Sequence, residues 1–154
     1  MKHAILIMAH KNVDYLCRLV KYFDKDCDVF LHIDKKQNIA PDELLRLNGY
    51  KQVKLISRAY NVNWGGTSIL DCELFLLRTA LAQSNADYFH LISGQDYPLR
   101  PLPRFLEHFG SMQEKSSYST CIFLIQDGKK IHFAVCNTII LMIMLKIKRT
   151  PDNG

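Results

Sequence analysis

Three short apolar segments in this chain each run straight into polar residues, and that repetition limits its fold more than any other feature. Ala4-Ile-Leu-Ile-Met8 ends in Ala9-His10-Lys11, and Val29-Phe-Leu-His-Ile33 ends in Asp34-Lys35-Lys36. Tyr88-Phe-His-Leu-Ile92 ends in Ser93-Gly94-Gln95-Asp96, which Pro98 stiffens. Near-continuous apolar runs of this length are what strands buried on both faces look like. Polar residues at their C-terminal ends then lie on the rim where open α/β sheets bind ligands. Such a rim argues for a chemical site rather than a purely structural module.

Helical periodicity fills the gaps between these strands. Residues 12–23 carry Tyr15, Leu16, Leu19, Val20 and Phe23 on one stripe. Pro41–Leu47 predicts a short helix with proline and acids in its first turn. Val53–Ile56 predicts a short strand, and 59–67 a loop that contains Trp64-Gly65-Gly66. A long helix over Ser68–Gln83 shows Ile69, Cys72, Leu76, Leu77 and Ala80 on one side, with Ser68 and Asp71 spaced as a capping box. A last helix is expected over Pro101–Phe109. Alternating strands and helices mean parallel pairing through right-handed crossovers, so the fold class is α/β.

Bulk properties exclude several function classes. At 154 residues the chain fits one domain with a real core. Its net charge of +5 suits an anionic ligand such as a nucleotide, or simply a basic surface. Lysines and arginines are scattered without a dense run, so no nucleic-acid partner is expected. Five cysteines without CxxC or CxxH spacing fit reduced thiols, not a metal site. No HExxH, GxGxxG, P-loop or GxSxG pattern occurs. Asp24-Lys-Asp26 and Asp26-Cys-Asp28 have Asp-x-Asp spacing, but they fall in a helix-to-strand turn and read best as a solvated acidic turn. Without a strand-end Asp-x-Asp, a bound diphosphate would be neutralised by Lys or Arg rather than by a cation.

Four residues or short stretches stand out as chemistry. Asp34 at a strand end is placed to accept from a ribose or base, or to cap its own turn. Asp96, between Gly94 and Pro98, is a carboxylate on a stiff loop, again with turn stabilisation as the alternative. Trp64, the single tryptophan, could stack on a base or sugar face or anchor its loop. His10, His32 and His90 lie in or at strands and read as structural rather than as metal ligands.

Taken together, Ile5-Leu-Ile-Met-Ala-His-Lys11, Leu31-His-Ile-Asp-Lys-Lys36, Asn63-Trp-Gly-Gly-Thr-Ser68 with Glu73-Leu-Phe-Leu-Leu-Arg78, and His90-Leu-Ile-Ser-Gly-Gln-Asp-Tyr-Pro-Leu99 carry a family likeness. In order and spacing, residues 1–109 resemble the core-2/I-branching N-acetylglucosaminyltransferases, a family that includes peptide O-xylosyltransferases. The resemblance implies the N-terminal, Rossmann-like half of a GT-A-type glycosyltransferase. It implies inverting transfer from a UDP-sugar to a glycan or protein hydroxyl, with no metal or other cofactor. By position, Met8 and Ala9 would line the uridine pocket, Asp34 would bind the nucleoside, and Trp64 would sit beside the donor. Ser93, Gly94 and Asp96 would shape the sugar-facing loop. Family members are longer, and their catalytic base lies in the second half, so Asp96 is not that base and the chain alone is expected to be inactive.

The character changes after Gly110. Residues 1–110 are expected to form the nucleotide-sugar-binding half and 111–154 an atypical, irregular tail, truncated or frameshifted. With one permitted choice of codons, Leu124–Phe133 read one base earlier gives Ser-Tyr-Pro-Arg-Trp-Lys-Lys-Asn-Thr-Phe, which suits a glycosyltransferase loop better. Within the tail, Ile131–Ile147 is apolar over about 17 residues, the lower edge of a membrane-spanning length, and reads equally as a buried strand or helix. Alternative readings are therefore a non-catalytic nucleotide-sugar-binding module, or a small protein anchored in a membrane through Ile131–Ile147. With no targeting segment before the first strand, a cytoplasmic, bacterial-type location is expected, a membrane being the alternative. A truncated sheet would leave an unpaired edge and marginal stability.

Overall fold

The computed structural model describes residues 1–63 and 65–111, together with strands at 123–126, 129–135 and 143–146. Strands β1 (His3–Ala9), β2 (Cys27–Ile33), β3 (Val53–Ser57) and β4 (Tyr88–Ser93) alternate with helices α1 (Val13–Tyr22), α2 (Pro41–Asn48), α3 (Thr67–Gln83) and α4 (Leu102–Ser111). The sheet order is β3-β2-β1-β4, all parallel, and then β7-β6-β5, built from β5 (Phe123–Gln126), β6 (Lys129–Val135) and β7 (Ile143–Lys146). β7 runs antiparallel to β4, so the outer edge of β4 is paired. The sequence pattern anticipated the four parallel strands and four helices, within two residues at each end.

Side-chain alternation explains the layers. On one face Ile5, Ile7 and Ala9 of β1 and Val29, Leu31 and Ile33 of β2 pack with Leu16, Leu19 and Val20 of α1, Leu47 of α2 and Leu102 of α4. On the other, Ala4, Leu6, Phe30, Phe89 and Leu91 pack with Leu76, Leu77 and Ala80 of α3. Strands with both faces covered need apolar residues at every position, which is why they read as continuous runs rather than alternating ones.

Helix ends follow local chemistry with one exception. Asn12, at φ 63°, caps α1 by accepting from the Tyr15 amide at 3.0 Å. Glu43 reaches back to the Ala40 amide at 3.0 Å at the start of α2. The Ser68–Asp71 capping box does not form. Helix α3 starts one residue earlier, after Gly66, with no side-chain cap, and Ser68 Oγ accepts from the Asn63 amide instead. The loop before α3 captured that hydroxyl, which a local pattern cannot anticipate.

The expected solvated acidic turn holds for Asp24 and not for Asp28, which lies inside β2. Asp24 accepts from the Asp26 amide at 2.9 Å. Asp28 is buried and pairs with Lys2 at 2.8 Å and accepts from Ser84 at 2.6 Å. In the Ile131–Ile147 run the described parts are strands, β6 ending at Val135 and β7 spanning Ile143–Lys146. Among the described residues no helix is long and apolar enough to cross a membrane.

Candidate functional site

The order β3-β2-β1-β4 places the reversal of winding between β1 and β4. Helices α1 and α2 follow β1 and β2 on one face, whereas α3 crosses on the other. A crevice opens at such a switch point outside the C-terminal strand ends. Its walls are the 9–12 and 93–97 turns, with the end of β2 alongside.

Backbone hydrogen bonds hold these turns together. The Gly94 amide donates to Met8 O at 2.7 Å, and the Asp34 amide to Ala9 O at 2.8 Å. Met8, Ala9, Asp34, Ser93, Gly94 and Asp96 are thus brought to one rim, as expected from the sequence. Trp64 lies outside the described residues. Its neighbour Gly65 has φ +75°, a left-handed value that glycine adopts without cost.

Gly94 is a packing glycine. A Cβ there would lie 2.6 Å from Ala9 Cβ and 3.0 Å from Leu16 Cδ2. The β4 turn can therefore press against β1 only with glycine at this position.

Both rim carboxylates accept amides of their own loops. Asp96 accepts from the Ser93 amide at 2.8 Å, and Ser93 Oγ from the Gln95 amide at 3.2 Å. Asp34 is only 4% exposed. Its Oδ1 accepts from the Lys36 amide at 3.1 Å and the Val62 amide at 3.3 Å, and Oδ2 faces Lys36 Nζ at 3.5 Å. Burial alone would raise the Asp34 carboxyl. The two amides and the ammonium outweigh it and hold the group below its ordinary value, so it stays ionised.

Several residues of this rim, Tyr15, Lys36, Arg58 and Gln95 among them, carried no signal of their own in the sequence, while His10 and His32 were expected to be structural. Gln95 donates to His10 at 2.7 Å across the mouth of the crevice, and Tyr15 OH donates to Gln95 O at 2.9 Å. Lys36 Nζ donates to Val62 O and Asn63 Oδ1. Arg58 donates to Lys35 O at 3.1 Å and to Gln37 O. His32 is fully buried and accepts from the Tyr60 amide at 3.1 Å. Burial pushes its pKa down, with Asp34 opposing, which keeps Nε2 free to accept. The clue was the richness in Lys, His and Gln just after each strand, but partners far apart in sequence cannot be paired by inspection.

Among the described residues no group of three or more His, Cys, Asp and Glu could hold a metal ion. The described cysteines Cys17, Cys27 and Cys72 are free and buried. Burial pushes the Cys27 and Cys72 thiols up to about 12, so neither serves as a nucleophile.

The family model of the Core-2/I-Branching enzyme matches residues 4–132. This chain belongs to the Core-2/I-Branching enzyme family, a family of glycosyltransferases. The match runs past Gly110, where the sequence changes character. Xylosyltransferase sqv-6 of Caenorhabditis elegans is 23% identical over 133 residues, covering 80% of this chain. The chain spans only 16% of that relative's length. Among solved structures, the mannosyltransferase PcManGT of Pyrobaculum calidifontis, in complex with GDP-Man and Mn2+, superposes with a TM-score of 0.52 at 9% identity, over 82% of this chain and 37% of its own. A 4-diphosphocytidyl-2C-methyl-D-erythritol synthase superposes with a TM-score of 0.51 at 12% identity, over 95% of this chain and 76% of its own. At such identities these likenesses establish the fold, a GT-A-like α/β sheet, which agrees with the family.

Proposed function

We propose that this chain is the donor-binding half of an inverting glycosyltransferase of the branching N-acetylglucosaminyltransferase type. It takes a UDP-sugar, and the complete enzyme passes the sugar to a hydroxyl of a glycan or protein without a metal ion. The observation that supports this reading is the rim itself. The ends of β1, β2 and β4 are tied by the Gly94–Met8 and Asp34–Ala9 hydrogen bonds around a switch-point crevice. Family membership supplies the chemistry.

In this reading Met8 and Ala9 line the uridine side and Asp34 stands next to the nucleoside. Trp64 flanks the donor, and the Ser93–Asp96 turn faces the sugar. Inverting transfer needs a carboxylate within reach of the attacking hydroxyl. Asp34 and Asp96 both accept loop amides, and Asp34 is nearly closed to solvent. Neither is placed as that base, and in this reading the base belongs to the second half of the family's longer members, so that the chain by itself binds the donor without turning it over.

Titration of the purified chain with UDP, followed by Trp64 fluorescence, tests this. Saturable quenching that is equal with Mg2+ and with EDTA is expected, together with no sugar transfer. No binding at any concentration sinks the proposal, and binding that requires the cation sinks its metal-free part.

A further inference from the structure

The loop that enters α3 is strapped to the end of β2. The Tyr60 amide donates to His32 at 3.1 Å, and Tyr60 O accepts from the Lys35 amide at 3.0 Å. The Val62 amide donates to Asp34 Oδ1 at 3.3 Å, and Val62 O accepts from Lys36 Nζ at 2.6 Å. Asn63 Oδ1 accepts from Lys36 Nζ at 2.9 Å, and the Asn63 amide donates to Ser68 Oγ at 2.9 Å. One lysine therefore grips two consecutive loop residues, directly before Trp64.

A lysine ammonium has three N–H donors and no more. In Lys36 two are taken by Val62 O and Asn63 Oδ1, and Asp34 Oδ2 stands 3.5 Å away for the third. Two donors are thus committed to the loop, which leaves at most one, facing Asp34, for any other acceptor. Its charge is also cancelled locally by Asp34, which stays ionised.

We propose that Lys36 is a positioning residue of the nucleotide site: it holds Asp34 and the Tyr60–Asn63 stretch in place for the nucleoside and does not itself neutralise the diphosphate. This rests on the donor-site reading above. Rim cations whose ammonium groups are not part of this strap, such as those of Lys11 and Lys35, are better placed to meet a phosphate. Loosening the strap reduces the fraction of molecules whose loop is ready to bind, and affinity falls in proportion.

The test compares uridine with UDP on the full chain, by calorimetry, for Lys36→Met and for Asn63→Ala. Uridine lacks phosphates, so it decides between the two roles. A positioning role predicts that Lys36→Met weakens uridine by about tenfold, the size of a lost charge-assisted hydrogen bond. Asn63→Ala, which keeps the ammonium, weakens uridine in the same direction by less. Combining both changes gives little more loss than Lys36→Met alone, because the two residues form one contact. Thermal melting checks that each variant is folded, and Asn63→Ala carries the comparison if Lys36→Met is not. Unchanged uridine affinity in both variants, with or without a loss for UDP, overturns the assignment. If the unsubstituted chain binds neither ligand, the donor reading fails, and the assignment falls with it.

Discussion

The two ends of the same parallel strands use buried polar groups in opposite ways. At the floor, His3 and His90 stack with a ring–ring nitrogen distance of 2.9 Å and are packed by Phe105 and Phe109. On the opposite face of the sheet Asp28 is closed in by Lys2, Lys54 and Ser84. At the rim, Asp34, Ser93 and Asp96 sit in turns whose backbone forms the mouth of a crevice. At the floor side chains pair with one another, although His3 Nε2 and His90 Nδ1 are buried without a hydrogen-bond partner among the described residues. The rim has side chains fixing loops, which in the proposed reading leaves the loop backbone for a ligand. Burial and charge alone do not mark a site. Placement relative to the strand direction does.

The largest expected effect comes from filling the contact between the two crevice walls. Gly94→Ala places a methyl group 2.6 Å from Ala9 Cβ, against rigid neighbours. We expect a loss of about 1–3 kcal/mol in urea unfolding, together with a strong loss of UDP binding as the β4 turn is pushed off β1. Normal UDP affinity in a destabilised Gly94→Ala chain would break the link between wall packing and site.

A matched pair sharpens the contrast. Asp34→Ala and Asp28→Ala each remove a buried carboxylate with amide, hydroxyl or lysine partners, at a cost of about 1–3 kcal/mol. Only Asp34→Ala should weaken UDP, by at least tenfold, while Asp28→Ala leaves the affinity unchanged. Equal effects on binding would mean that the rim and the floor are not separate.

A smaller effect is expected from acid at the floor. Burial, and then the facing His3 ring, push His90 down to about 3, and burial lowers His3 as well. The unfolded chain then binds more protons than the folded one below pH 6.5, the ordinary histidine value. Stability from this pair is full above that pH and declines as pH falls toward 3, by up to about 1.4 kcal/mol per pH unit for His90, with His3 acting in the same direction. Urea midpoints at pH 7, 5 and 4 should fall less steeply in His90→Phe than in the unsubstituted chain. Parallel slopes would remove the histidine pair from the account.

The sequence made the parallel core legible because apolar runs and helical stripes are local patterns with fixed periods. It also placed Met8, Ala9, Asp34 and Ser93–Asp96 at one rim, since each directly ends a strand. It did not show that Asp34 fastens a loop nearly thirty residues away, nor that Lys36 does the same. Those partners are joined by the β2–β3 pairing, and sequence distance hides them. Ser68 was missed for a different, local reason: the amide of Asn63, five residues upstream, competes for its hydroxyl, and only the folded geometry decides which donor it accepts. The antiparallel pairing of β4 with β7 was equally invisible, because an apolar stretch such as Ile143–Lys146 fits a strand, a helix or a membrane segment until a partner edge is present.

What the sequence determined by itself is the order of elements and which strand ends carry polar residues, because both follow from local periodicity. What only the tertiary structure decided is the work each polar residue does. A carboxylate or ammonium can fasten a loop or meet a ligand, and the choice depends on which donors and acceptors the fold brings within about 3 Å of it.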